Sequence, residues 1–217
     1  MKKLLSALLI MCMPVLAQAA GVAVELTPAP INMDDKVSLQ RGAQIFINNC
    51  LGCHSAQYMR YERMAQDLEI PIDILQKNLL FTSERVGDTM QTAMPKDLAK
   101  KWFGTVPPDL TLEARLRGPD WVYSYLIGFH ADEKRPWKVN NHVFPDVGMP
   151  HVLSNMEKQL GEKAFKEAMA DLTNFMVYMA EPMRAERERL GVWVLLFLAV
   201  LAIPVYFLNR EYWKDVH

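Results

Sequence analysis

In Cys50-Leu51-Gly52-Cys53-His54 two thiols stand three positions apart and a histidine follows the second at once. This is the C-x-x-C-H pattern of covalent haem attachment. Each thiol can add across one vinyl group of a single porphyrin, and the adjacent imidazole is then held under the iron. With three cysteines and five histidines in 217 residues, chance supplies the pattern with an expectation of about 0.001. A thioredoxin-like dithiol would need a preceding strand, whereas the residues before Cys50 read as a helix. A structural zinc site would need further ligands at finger-like spacing, and the nearest other histidine, His130, lies 76 positions on. A Cys50–Cys53 disulfide fits a precursor state in an oxidising compartment.

The second axial ligand decides the chemistry, because iron with both axial positions filled transfers electrons and an open position binds small molecules. Met149, His130, His142, His151 and the remaining methionines are the candidates. Most methionines, such as Met169, Met176 and Met179, are better explained as core of the last helix. Met149 stands in Phe144-Pro145-Asp146-Val147-Gly148-Met149-Pro150, a loop stiff enough to hold one thioether, and His151 is its competitor. A thioether would raise the haem potential.

Upstream, Ser38 reads as the cap of a helix whose Leu39, Ala43, Ile45 and Phe46 lead to Cys50. Downstream, a helix is expected to begin near Pro119-Asp120 and carry Trp121 to Phe129. Another, from about Glu162 to Ala180, sets Phe165, Met169, Leu172, Met176 and Met179 on one stripe, and Pro182 ends it. The Pro- and Gly-rich stretches 84–110 and 130–155 read as long loops with little strand. Such loops count against a compact domain unless something besides side chains fills its centre, and a porphyrin would.

Both ends are apolar. Met1-Lys2-Lys3, the run Leu4–Leu16 and Ala17-Gln18-Ala19 form a three-part secretory signal over residues 1–19, which takes Cys12 with it. Leu190 to Leu208 is free of charge for nineteen residues, roughly 28 Å of helix and enough for one membrane span. Trp193 at one end and Tyr206, Tyr212 and Trp213 at the other suit the interfaces. The expected organisation is therefore a leader at 1–19, a haem domain at 20–183, an anchor at 184–209 and a tail at 210–217. A translocated N-terminus puts the domain in the periplasm and the tail in the cytoplasm.

Overall the chain has 24 basic and 25 acidic residues, without the basic footprint of a nucleic-acid binder. Residues 20–183 carry a net charge of -4, which favours basic partners in encounter rate more than in affinity.

Beyond the haem motif, several stretches resemble the cytochrome c1 family, the haem subunits of ubiquinol–cytochrome c reductase (cytochrome bc1) complexes, in a bacterial form. Arg41-Gly42 with Ile45-Phe46, and His54-Ser55 with Tyr58, are similar to that family's first helix. Val106-Pro107-Pro108-Asp109-Leu110, then Ala114-Arg115-Leu116-Arg117 and Asp120-Trp121-Val122-Tyr123, resemble its central stretch. Phe144-Pro145 with Gly148-Met149-Pro150 resembles its methionine loop, and Ala180-Glu181-Pro182 with the apolar span resembles its anchor. The resemblance implies a mainly α, class I cytochrome c-like haem domain on one C-terminal transmembrane helix. It implies haem c on Cys50 and Cys53, His54 and Met149 as iron ligands, and Arg117 against a propionate. It further implies electron transfer from a Rieske iron–sulfur protein to cytochrome c, beside cytochrome b, by a chain with no bond-making chemistry of its own. Trp121 departs from the mitochondrial pattern, where a tyrosine is familiar. The alternatives are a membrane-anchored monohaem cytochrome serving a terminal oxidase, and a haem sensor or enzyme with an open iron site.

Overall fold

Asp35, not Ser38, starts the first helix. Its carboxylate accepts from the Ser38 amide at 3.0 Å, the usual way an acidic N-cap satisfies an orphan N–H, so α1 runs Lys36–Asn49. Ser38 lies inside the first turn, where its hydroxyl accepts from Asn174 at 3.1 Å. The computed structural model describes residues 24–215, and the leader expected at 1–19 lies outside the described residues.

In chain order there follow β1 (Ala56–Arg60), α2 (Tyr61–Asp67), α3 (Ile72–Asn78), β2 (Thr89–Met90), α4 (Lys96–Phe103), α5 (Glu113–Arg117), α6 (Pro119–Ile127), β3 (Phe129–Ala131), β4 (Val139–Asn141), α7 (Ser154–Ala180) and α8 (Arg184–Tyr212). The architecture is mainly helical, as expected. The stretches read as loops need correcting in detail: 84–110 contains β2 and α4, and 130–155 contains most of a small hairpin. The strands form two separate antiparallel pairs, β1 with β2 and β3 with β4. With two to five residues each, they are too short to show a period of two.

The core is built on α1 packed against α7. Leu39, Ala43, Phe46 and Ile47 of α1 are buried, as is the whole expected stripe of α7: Phe165, Met169, Leu172, Met176 and Met179. Phe46 and Phe175 meet with ring centroids 5.6 Å apart. Gly161, with φ 74° and ψ 167°, interrupts the helical geometry of α7. The expected start at Glu162 therefore marks the second, longer helical segment, and a shorter helical segment over residues 154–160 precedes the kink.

The α1–α7 approach depends on Gly42. A Cβ built there would lie 2.1 Å from the Asp171 carbonyl oxygen and 2.7 Å from Phe175 Cβ, and neither backbone can yield without separating the helices. Beside it Arg41 Nε donates to Asp171 Oδ2 at 2.5 Å. Gly42→Ala is expected to destabilise the domain by about 3 kcal/mol, the upper end of ordinary overpacking, seen as a lowered denaturant midpoint. An unchanged midpoint would mean that the helices stand further apart than described.

α5 and α6 are joined at Gly118, whose φ of 90° only glycine adopts without strain, and both pack on α7. Finally, α8 has no buried residue. It is the one helix among the described residues long and apolar enough to cross a membrane, and Pro204 lies inside it.

Candidate haem site

After α1 ends, the backbone makes one more turn. The amides of Cys53 and His54 both donate to the Cys50 carbonyl, at 3.0 and 2.9 Å. This turn brings Cys50, Cys53 and His54 to the wall of one cavity of about 350 Å³, within the range of cofactor pockets. Both cysteines are free thiols. Burial pushes the Cys50 thiol up to about 12, with Cys53 adding to the effect, and burial raises Cys53 as well.

His54 is fixed from behind. Its Nδ1 lies 2.8 Å from the Pro108 carbonyl oxygen, an acceptor that requires Nδ1 to carry the proton and leaves Nε2 its lone pair. Burial, outweighing the Pro108 contact, lowers the pKa of the imidazole and keeps it neutral, the form that binds a metal. The Pro107–Thr111 segment is itself tied down. Asp109 accepts from the Gln57 amide at 2.8 Å and from the Thr111 amide at 2.9 Å, and Leu110 N donates to Ser55 O at 2.8 Å. The motif and its supporting carbonyl thus move as one body.

Met149 lines the same cavity, together with Arg117. Its loop is held by buried Asn141, which accepts from the amides of Val143 and Phe144 and donates to the Tyr125 carbonyl at 2.7 Å. Arg135 clamps the Asp146 carbonyl at 2.6 Å and its carboxylate at 2.9 Å. Tyr125 donates to Met149 Sδ at 3.3 Å, and burial pushes that phenol up to about 12, so it remains a donor.

The competing histidines are committed elsewhere. His151 Nε2 pairs with Glu157 at 2.8 Å, and its ring stacks on Phe129 at 4.6 Å. His130 and His142 stack on each other at 4.0 Å, and none of the three lines the cavity. Arg117 lies over the Trp121 ring at 4.3 Å and bonds Glu113 at 3.0 Å. Its guanidinium has donors left for a carboxylate ligand.

Sequence reasoning missed Tyr125 and the Pro108 carbonyl. Tyr125 was visible as an aromatic on α6, one turn from Trp121, with which it stacks at 5.2 Å. No signal marked the carbonyl, since any residue carries one. Met176, read only as helix core, also lines the cavity.

Two thiols, a neutral imidazole and a thioether around an apolar hollow are the donor set of a covalently attached porphyrin. The fold and site thus define a membrane-anchored c-type cytochrome. The chain belongs to the cytochrome c1 family, which it matches over residues 28–216. Cytochrome c1 of Allochromatium vinosum is 45% identical across 100% of both chains. The ammonia monooxygenase gamma subunit of Nitrosomonas europaea is 40% identical over 97% of each. Cytochrome b/c1 of Bradyrhizobium diazoefficiens is 26% identical over 87% of this chain and 34% of its own length. Family membership makes this an electron-transport protein of the respiratory chain that carries a covalently attached haem c as the haem subunit of a bc1 oxidoreductase complex.

Proposed function

We propose that the chain relays single electrons from a Rieske iron–sulfur protein to a cytochrome c, in company with cytochrome b, and performs no bond-making chemistry itself. What supports this most is the meeting of Cys50, Cys53, His54 and Met149 around one cavity. Bound haem supplies a reversible one-electron iron couple. Cys50 and Cys53 tether it through thioethers. His54 Nε2 and Met149 Sδ would both ligate the iron, and with two protein ligands the site would suit electron transfer over activation. Arg117, at the exposed edge of the cavity, would offer a propionate a charged donor, and the apolar wall would limit water.

In this reading residues 1–19 are a removed leader and 20–183 a periplasmic haem domain. Residues 184–209 anchor it through the span 190–208, and 210–217 form a cytoplasmic tail. A terminal-oxidase cytochrome is a less economical reading for a chain of this family, and an open-iron sensor or enzyme leaves Met149 without a role.

Co-purification and ligand binding test the reading together. Affinity-tagged chain from native membranes should bring down cytochrome b and the Rieske protein, and the reduced haem should not bind carbon monoxide. Recovery with monooxygenase subunits, or ready carbon monoxide binding, would overturn it.

A further inference from the structure

We propose that the basic, aromatic rim formed by α4 and the 132–146 segment is the docking surface for a soluble electron carrier whose own contact face is acidic. The inference rests on the relay reading above and concerns which carrier the site can receive.

The rim belongs to the cavity mouth. Phe103, the last residue of α4, lines the cavity, as does Phe144. Across the gap Phe103 meets Trp137, with ring centroids 5.9 Å apart, so α4 and the 132–138 loop are neighbours. Large apolar side chains stay exposed here: Trp102 at 54%, Trp137 at 43% and Phe144 at 45%. Exposed aromatics gathered at one mouth mark an interaction surface, since aromatic residues are enriched at the centres of interfaces.

The charge around them is opposite in sign to that of the domain. α4 and residues 132–146 hold six basic and four acidic side chains, a net of +2, whereas residues 20–183 carry -4. Within the rim Arg135 is tied to Asp146 and Lys138 to Glu133, which cancels most of the 132–146 charge. Lys96, Lys100 and Lys101 of α4 are exposed and make no ion pair among the described residues. Their only acidic neighbour on the helix is Asp97. Beside Phe144, whose ring Arg117 overlies at 5.8 Å, Glu113 and Arg117 neutralise each other. Within the rim the uncompensated charge is therefore the lysine group of α4 around Trp102, opposed only by Asp97 on the same helix and by Asp109, whose carboxylate is turned to the Gln57 and Thr111 amides. An acidic face gains from these lysines and a basic one is repelled, chiefly in encounter rate and salt dependence. Net charge alone points the other way, because it averages over surfaces far from the mouth.

The test uses the full haem-loaded chain in detergent. Its binding to an acidic plastocyanin and to a basic mitochondrial cytochrome c is measured by surface plasmon resonance, then electron transfer to each from pre-reduced, desalted chain. Plastocyanin should bind the more tightly at about 10 mM salt and lose about tenfold in affinity by about 150 mM, as the screening length contracts. Lys100→Glu with Lys101→Glu should cost about tenfold at low salt, with the haem spectrum unchanged. Tighter binding of the basic carrier, or indifference of plastocyanin binding to the two changes, would overturn the surface. Charge-dependent binding without electron transfer would overturn the relay while upholding the surface. Electron transfer indifferent to salt and to both changes would do the reverse.

Discussion

Replacing Met149 by leucine is expected to abolish the ferric thioether charge-transfer band and lower the haem potential by a few tenths of a volt, a sizeable share of the roughly 0.8 V that axial ligation spans. Leucine fills nearly the same volume, so packing is spared and the effect isolates the sulfur. The structure makes substitution by another ligand difficult. His151, two residues on, pairs with Glu157 at 2.8 Å and stacks on Phe129, and reaching the cavity would break both contacts. The Met149→Leu protein should therefore be five-coordinate and bind carbon monoxide when reduced. A spectrum and a redox titration beside the parent protein decide the matter. An unchanged band and potential would remove Met149 from the iron, and a new bis-histidine spectrum would promote His151.

The second large effect is on folding. With Cys50→Ala and Cys53→Ala together, haem staining on a denaturing gel should vanish, because no thioether remains. Without its porphyrin the domain must collapse or flood a hollow of about 350 Å³. Either way the apolar wall loses the packing contacts that the porphyrin would make with it, a large loss beside the small net stability of an ordinary domain. The double variant is thus expected to be unfolded or rapidly degraded, whereas either single variant keeps one tether and most of its structure. A double variant with a native-like melting transition and no haem would show that the polypeptide alone holds the fold.

How much of this was legible in the chain differs from element to element. α1, α6 and the stripe of α7 announced themselves because each buries a face at helical spacing, and the cap differed by three residues only because Asp35 and Ser38 are both good caps. The seven-residue helices α2 and α3 were harder to read: α2 buries Tyr61, Met64 and Ala65 at helical spacing but within little more than one turn, and α3 buries Leu75 alone, too little for a sustained period. The strands are too short to carry patterns of their own, and β1 meets β2 only after α2 and α3 have intervened in the chain. In the site, the covalent and axial groups were legible because their chemistry restricts which residue types will serve. Tyr125 and the Pro108 carbonyl were not. Each acts through a position that the folded chain alone creates, and a backbone oxygen has no identity in the sequence.

The joint between α7 and α8 has a mechanical meaning. Only Glu181, Pro182 and Met183 separate a helix end that is wholly buried from a helix that buries no residue. Three residues reach about 10 Å at full extension, and the joint is further braced where Arg187 grips Glu181 at 2.5 Å and Arg63 touches Met183 Sδ at 3.4 Å. That is a pivot and not a leash. Such a joint keeps the haem domain within about 10 Å of the end of its apolar helix, too short a tether to sweep between a distant donor and acceptor. The travelling in this relay falls to the molecules on either side of it.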